Sequence, residues 1–321
     1  MINLEDKTSI EELKNIPVWG PEEKLISANP AGESNMNVVL RVKTNERSVI
    51  IKQSKSFVRK YPQIKAPIER IGIEHAFYTA VGKNATLKNY SPKVLNYLPD
   101  QYLLVTEDLG EGSDFSALYS GNFQLKKQEI QSLCDYLNSL HELELKDFPD
   151  NQAMKVLNHE HIFYFPFMEE NGFDLDSVQA GLQELSLRFK KNQALKRKIE
   201  ELGKRYLGQG ETLLHGDFYP GSWLQTSQGI KIIDPEFGFM GDPEFDLGVL
   251  LAHLDLSQQS EELKNEFLKQ YIQPLSPKLL DQFHGVEILR RLIGIAQLPV
   301  NLSLEQKEAL MEKASRLILG Y

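Results

Sequence analysis

Two short acidic clusters lie 17 residues apart in the second half of the chain, His215-Gly216-Asp217 and Asp234-Pro235-Glu236. Each follows an apolar run with strand character, Thr212-Leu213-Leu214 before the first and Ile230-Lys231-Ile232-Ile233 before the second, with Thr226-Ser227-Gln228-Gly229 as a turn between them. Folded as one hairpin, this segment would bring three carboxylates to one end of a sheet. Phosphoryl transfer from a nucleotide needs such a set: one carboxylate to orient and deprotonate the acceptor hydroxyl, others to hold Mg²⁺ against the phosphates. Either cluster alone is ordinary, since Asp and Glu favour strand ends and turns for solvation. Together they make Asp217 a candidate base and Asp234 and Glu236 candidate metal ligands. Ser222 stands five residues after Asp217, the offset at which a kinase catalytic loop places a further metal ligand.

The preceding elements must position these groups. Strands are expected over residues 24–28, 38–42 and 48–52, with the loop Pro30-Ala31-Gly32-Glu33-Ser34-Asn35 between the first two. A strand, a glycine-containing loop, a returning strand and then Lys52 at the end of the next is an order suited to covering nucleotide phosphates and reaching them with an ammonium. Residues 66–81 carry a helical pattern offering Glu69 and Glu74, of which Glu74 is the preferred partner for Lys52. Two further strands, 93–98 and 102–106, lead into Glu107-Asp108-Leu109-Gly110, where a hinge would pass and backbone groups could read an adenine edge. Helices are expected over 124–143, 182–207 and 286–298. Asp246 is expected to cap the helix that follows it, and Arg290 and Arg291 flank the apolar stripe of the last helix.

Composition narrows the partners. A net charge of −9 argues against nucleic acid or a membrane surface, and no apolar run reaches the roughly 20 residues of a membrane span. The single cysteine, Cys134, excludes an intramolecular disulfide and sits on an apolar helix face, which together with the plain N-terminus sets a cytoplasmic expectation. His159-Glu160-His161 has no further His or Cys at ligand spacing and is read as packing rather than a metal site. The chain is expected to be α+β, a small β-rich N-terminal lobe over residues 1–108 and a larger, mainly helical C-terminal lobe over 109–321.

Leu214-His215-Gly216-Asp217, Ile233-Asp234-Pro235-Glu236-Phe237 and Phe245-Asp246-Leu247-Gly248 resemble the aminoglycoside phosphotransferase and choline kinase superfamily, which has a protein-kinase-like fold. Within it the chain most resembles the methylthioribose kinases. Residues 34–42 are similar to their phosphate-covering loop and second strand, Ile50-Ile51-Lys52-Gln53 to the ATP-lysine strand, Thr106-Glu107-Asp108-Leu109 to the hinge, and Arg290-Arg291-Leu292-Ile293-Gly294 to a pair of substrate arginines. The resemblance implies a Mg·ATP-dependent kinase acting on a sugar-like hydroxyl of a small-molecule acceptor, with Asp217 as base and Asp234, Glu236 and Ser222 about the metal. Gly32, Ser34, Asn35, Asn37, Lys52, Glu74, Glu107 and Leu109 would contact or serve the nucleotide, and Arg290 and Arg291 the substrate. A homodimer is an open arrangement. Phe218-Tyr219-Pro220 departs from the Leu-His-Thr of the methylthioribose kinases, so the acceptor stays open between a 5-modified ribose and an amino alcohol or aminoglycoside. The other classes weighed are a pseudokinase, for which no member of the catalytic set is missing, and a metal-dependent hydrolase, for which the cluster offers no histidine beyond His215.

Overall fold

Alternation of apolar and polar residues builds the first sheet. Val38, Leu40 and Val42 on one strand and Val49 and Ile51 on the next turn to one face, where with Leu103, Val105, Leu4, Leu13 and Ile16 they form a core. The computed structural model describes residues 2–32 and 34–321, so Glu33 of the expected phosphate loop lies outside the described residues. The sheet is antiparallel, in the order Leu25–Pro30, Asn37–Thr44, Ser48–Ser54, Leu103–Glu107 and Val94–Leu98. Each expected strand is present with its ends moved by a residue or two. The period of two places Lys52, opposite Val39 and Leu104 in the ladder, on the face away from Ile51.

The helix expected from residue 66 begins later, at Arg70, and runs to Val81. Pro67 lacks an N–H, and its carbonyl is taken by the Arg70 guanidinium at 2.7 Å rather than by a helical amide.

The chain divides into two units, Met1–Gly112 with Thr226–Gly238, and Ser113–Gln225 with Phe239–Tyr321. That division corrects the expected hairpin. Thr212–Leu214 pairs antiparallel with Phe239–Gly241, not with the strand Gly229–Ile232. The reason is packing: Leu214 and Phe239 enter the second unit's apolar core, whereas Ile232 and Lys231 bond the backbone of Tyr90 and Asn89 in the first unit. Asp217 therefore belongs to one unit, and Asp234 and Glu236 to the other.

The second unit is helical. The helix Glu244–Leu256 is buried along its whole length and packs on Pro277–Ile293, itself packed on Leu304–Leu319. Two expectations are corrected here. Residues 182–207 form two helices, Leu182–Lys190 and Gln193–Leu207, because Asn192 caps the second by accepting from the amides of Ala194 and Leu195. The helix expected over 286–298 starts at Pro277 behind the Ser276 cap and stops at Ile293, before Gly294. Cys134 is buried, and desolvation pushes its thiol up to about 12. Among the described residues, no helix is long and apolar enough to cross a membrane.

Candidate functional site

In the first unit the cluster grows from the third strand. Lys52 donates to Glu74 Oε1 at 2.6 Å, and its ammonium also contacts Asp234. Lys52 and Glu74 are buried, while the Asp234 side chain is 49% exposed and its backbone adopts a left-handed conformation at φ 64°. That conformation is rare for a non-glycine residue and turns the chain sharply at the end of its strand. Burial alone would lower the Lys52 ammonium, but Asp234 and Glu74 outweigh it and hold the group well above its usual value. Burial raises Glu74 in turn.

Glu236 is bonded by Asn37 Nδ2 at 2.9 Å and by Arg70 Nε at 3.1 Å. Its carboxyl rises to about 7, chiefly through burial; Arg70 opposes the shift, while the charges of Glu74 and Asp234 add to it. With all three carboxyls ionised, the cluster carries one negative charge more than Lys52 and Arg70 balance, which fits a divalent cation. Among the described residues, no group of three or more His, Cys, Asp or Glu side chains could hold a metal by itself. A pair of carboxylates whose remaining ligands come from phosphates and water is the usual arrangement for Mg²⁺.

In the segment leading to Asn37, Gly32 has φ 117°, a value suited to glycine, and a Cβ there would meet open space. Ser34 Oγ accepts from Asn37 N at 3.2 Å, and Asn35 O accepts from Lys60 N at 3.0 Å. Glu107 closes the strand and half-buried Leu109 follows it. Asp108 ties this segment down, accepting from Ser48 Oγ at 2.6 Å and pairing with Arg41 Nε at 2.8 Å, while Arg41 Nη2 donates to Gly110 O at 2.7 Å.

In the second unit the site is a turn at the end of Thr212–Leu214. Gly216 takes φ 81°, and Asp246 holds the turn by accepting from His215 N at 2.7 Å and Gly216 N at 3.0 Å. Asp246 therefore fixes the Asp217 loop rather than capping the helix that contains it, because its carboxylate is fully buried and those amides are its partners. Arg291 Nη2 and Arg290 Nη2 lie 3.4 and 3.8 Å from Asp217 Oδ1. Both arginines are buried, 8% and 5% exposed. Burial raises the Asp217 carboxyl above its ordinary value even though the two guanidiniums oppose the shift. Ser222 Oγ is 3.0 Å from Asp217 O and 2.8 Å from Tyr219 O, and it accepts from Tyr219 N at 3.2 Å, so this hydroxyl is engaged in shaping the loop. Of the departing residues, Phe218 is fully buried and stacks on Tyr136, whereas Tyr219 lies under the Arg291 guanidinium at 5.2 Å.

Residues 26–281 match the phosphotransferase enzyme family. The chain belongs to that family. It is 26% identical to the methylthioribose kinase of Exiguobacterium sibiricum over 263 residues, 77% of this chain and 64% of that protein. To the methylthioribose kinase of Yersinia pestis it is 29% identical over 252 residues, 73% of this chain and 60% of the relative. The chain thus spans somewhat under two thirds of the length of these curated relatives. It shares its fold with the choline kinase LicA from Streptococcus pneumoniae, at 16% identity and a TM-score of 0.54 over 93% of this chain and 95% of that one.

Proposed function

We propose that this protein is a Mg·ATP-dependent small-molecule kinase whose acceptor is 5-methylthioribose or a similar 5-modified ribose. The reading is carried by Lys52, whose buried ammonium is shared between Glu74 and Asp234 in a chain of the phosphotransferase family. A buried lysine held cationic by two carboxylates suits contact with nucleotide phosphates. Residues 1–108 form the nucleotide lobe, with Gly32, Ser34 and Asn35 covering the phosphates and Glu107 at the adenine, where Leu109 just beyond the lobe joins it. The lobe of residues 109–321 holds the acceptor, apart from residues 226–238, which join the first unit. Asp234 and Glu236 would hold the metal, Asn37 and Arg70 orient Glu236, and Ser222 is left to the loop. When bound, the metal neutralises charge developing on the phosphates.

On the acceptor side Asp217 is the base. Its raised carboxyl strengthens it as a proton acceptor: the hydroxyl proton passes to Asp217 as the acceptor oxygen bonds the γ-phosphorus and the bond to the ADP oxygen breaks. Arg290 and Arg291 bring positive charge to the same place, which favours a neutral sugar over an aminoglycoside or amino alcohol. Tyr219, under Arg291, adds an aromatic face beside them. The buried thiol fits work in the cytoplasm.

The test is ADP release with ATP and Mg²⁺ across ribose analogues, amino alcohols and aminoglycosides. Ribose-type acceptors should stimulate it, and Asp217→Asn should remove the stimulation. Stimulation that persists undiminished in that variant would sink the assignment of the base.

A further inference from the structure

Glu287 lies one helical turn before Arg290 and Arg291 and is 2% exposed. Its Oε2 accepts from Arg290 Nε at 2.5 Å and its Oε1 from Arg291 Nε at 2.8 Å. Adjacent helical residues point about 100° apart, so two neighbouring arginines left to themselves would diverge. A carboxylate three and four residues earlier reaches both. With Nε of each side chain anchored, their Nη2 groups converge on the same oxygen, Asp217 Oδ1, at 3.8 and 3.4 Å.

Glu287 is itself held. Its Oε1 lies 3.0 Å from His253 Nε2, and His253 Nδ1 lies 2.5 Å from Tyr119 Oη. Burial lowers His253 to about 4, leaving it neutral. Burial would raise Glu287, but Arg290 and Arg291 outweigh it and keep the group ionised, well below the ordinary range. An ionised carboxylate only accepts, so His253 donates from Nε2 and its Nδ1 accepts from the Tyr119 hydroxyl. Burial keeps that hydroxyl protonated, and every proton along the chain has one place.

We propose that Glu287, oriented by His253 and Tyr119, is a positioning residue for phosphoryl transfer: it turns both arginines to Oδ1 of Asp217 and so reserves Oδ2 for the acceptor hydroxyl. The proposal rests on the kinase reading above, and its test separates the two. Glu287→Gln should lower kcat about 100-fold, the scale of a misplaced reacting group, with KM for ATP unchanged. Its acid limb should move to lower pH: of the groups facing Asp217 in this unit, Arg290, Arg291 and His215 lower its carboxyl and Glu287 raises it, while Tyr119 and Tyr206, whose hydroxyls burial keeps protonated, carry no charge there. Glu287→Asp, which keeps the charge, should keep the limb in place. Wild-type kcat and limb in a folded Glu287→Gln overturn the proposal.

Should Glu287→Gln fail to fold, Tyr119→Phe decides. Loss of one hydrogen bond should lower kcat about three- to tenfold with KM for ATP unchanged, and a wild-type kcat overturns the proposal. A readout independent of turnover is the ¹³C carboxyl titration of Asp217. Its midpoint should fall in Glu287→Gln, and with that variant unfolded it should move in Tyr119→Phe. A protein that phosphorylates nothing yet shows this shift loses the kinase reading and keeps the positioning geometry. An unmoved midpoint overturns that geometry.

Discussion

In the first unit Glu74, Asp234 and Glu236 face Lys52 and Arg70; in the second, Asp217 and Glu287 face Arg290 and Arg291. Similar residues produce opposite results. The first cluster carries surplus negative charge, so burial and its own neighbours push Glu236 up to about 7. The second is balanced, and its arginines overcome burial to press Glu287 well down. A surplus prepares a place for a cation supplied from outside; a balance fixes a geometry from within.

The largest effect that sharpens this contrast is on rate. Asp217→Asn should lower kcat by about 10²- to 10⁴-fold without altering the Mg²⁺ concentration needed for half-maximal activity. Asp234→Asn should instead raise that requirement, and because half of its side chain is exposed the fold should survive. Were Asp217→Asn to shift the Mg²⁺ requirement, the division of labour between the clusters would fail.

Stability comes next. Glu287→Gln leaves two buried guanidiniums short of a partner and should cost about 3–5 kcal/mol in urea unfolding. Glu236→Gln removes a carboxyl that is already half protonated at neutral pH, and its cost should stay within about 1 kcal/mol. Equal losses would erase the distinction between surplus and balance.

The two clusters should also respond to pH with opposite sign. Glu236 binds its proton more tightly folded than unfolded, so without metal its contribution falls as pH rises from 4.5 to about 7, by up to about 3 kcal/mol. The depressed Glu287 contributes fully above 4.5 and loses that contribution as pH falls below it. Urea midpoints of Glu236→Gln and Glu287→Gln against pH, each subtracted from wild type, should slope in opposite directions. The smallest effect is on metal binding: MgCl₂ should raise Tm by a few degrees at pH 7.5 and less at pH 5.5, where the Glu236 proton competes with the cation. An equal rise at both values would remove Glu236 from the metal set.

Much of this was legible in the residues. The strands around Lys52 announced themselves by alternation, and the glycine and acid positions of the two clusters by their types. Other features left weaker traces. Glu287 stands at the i−3 and i−4 spacing to Arg290 and Arg291, a local pattern visible in the sequence but easily taken for a surface ion pair. Asn192 carried a cap signal inside what reads as one continuous helix. The pairing of Thr212–Leu214 with Phe239–Gly241 was hidden because a register is decided by the core that Leu214 and Phe239 enter, not by the turn residues between them. The role of Asp246 was hidden for a similar reason, since its amide partners lie 30 and 31 residues away. Asn37 and Arg70 meet Glu236 across still longer separations, and no short-range pattern records them.

The excursion of residues 226–238 into the first unit bears on how the protein is made. When residues 1–112 leave the ribosome, Lys52, Glu74 and Arg70 can already assemble, yet Asp234 and Glu236 have not been synthesised. At roughly 5–20 residues per second, the wait is on the order of ten seconds. Through that interval the cluster consists of Lys52, Arg70 and Glu74, so it carries the opposite surplus of charge from the finished one. The loop that reverses this surplus arrives only after residues 113–225 of the second unit have been translated, so the first unit is completed by a segment made midway through the second.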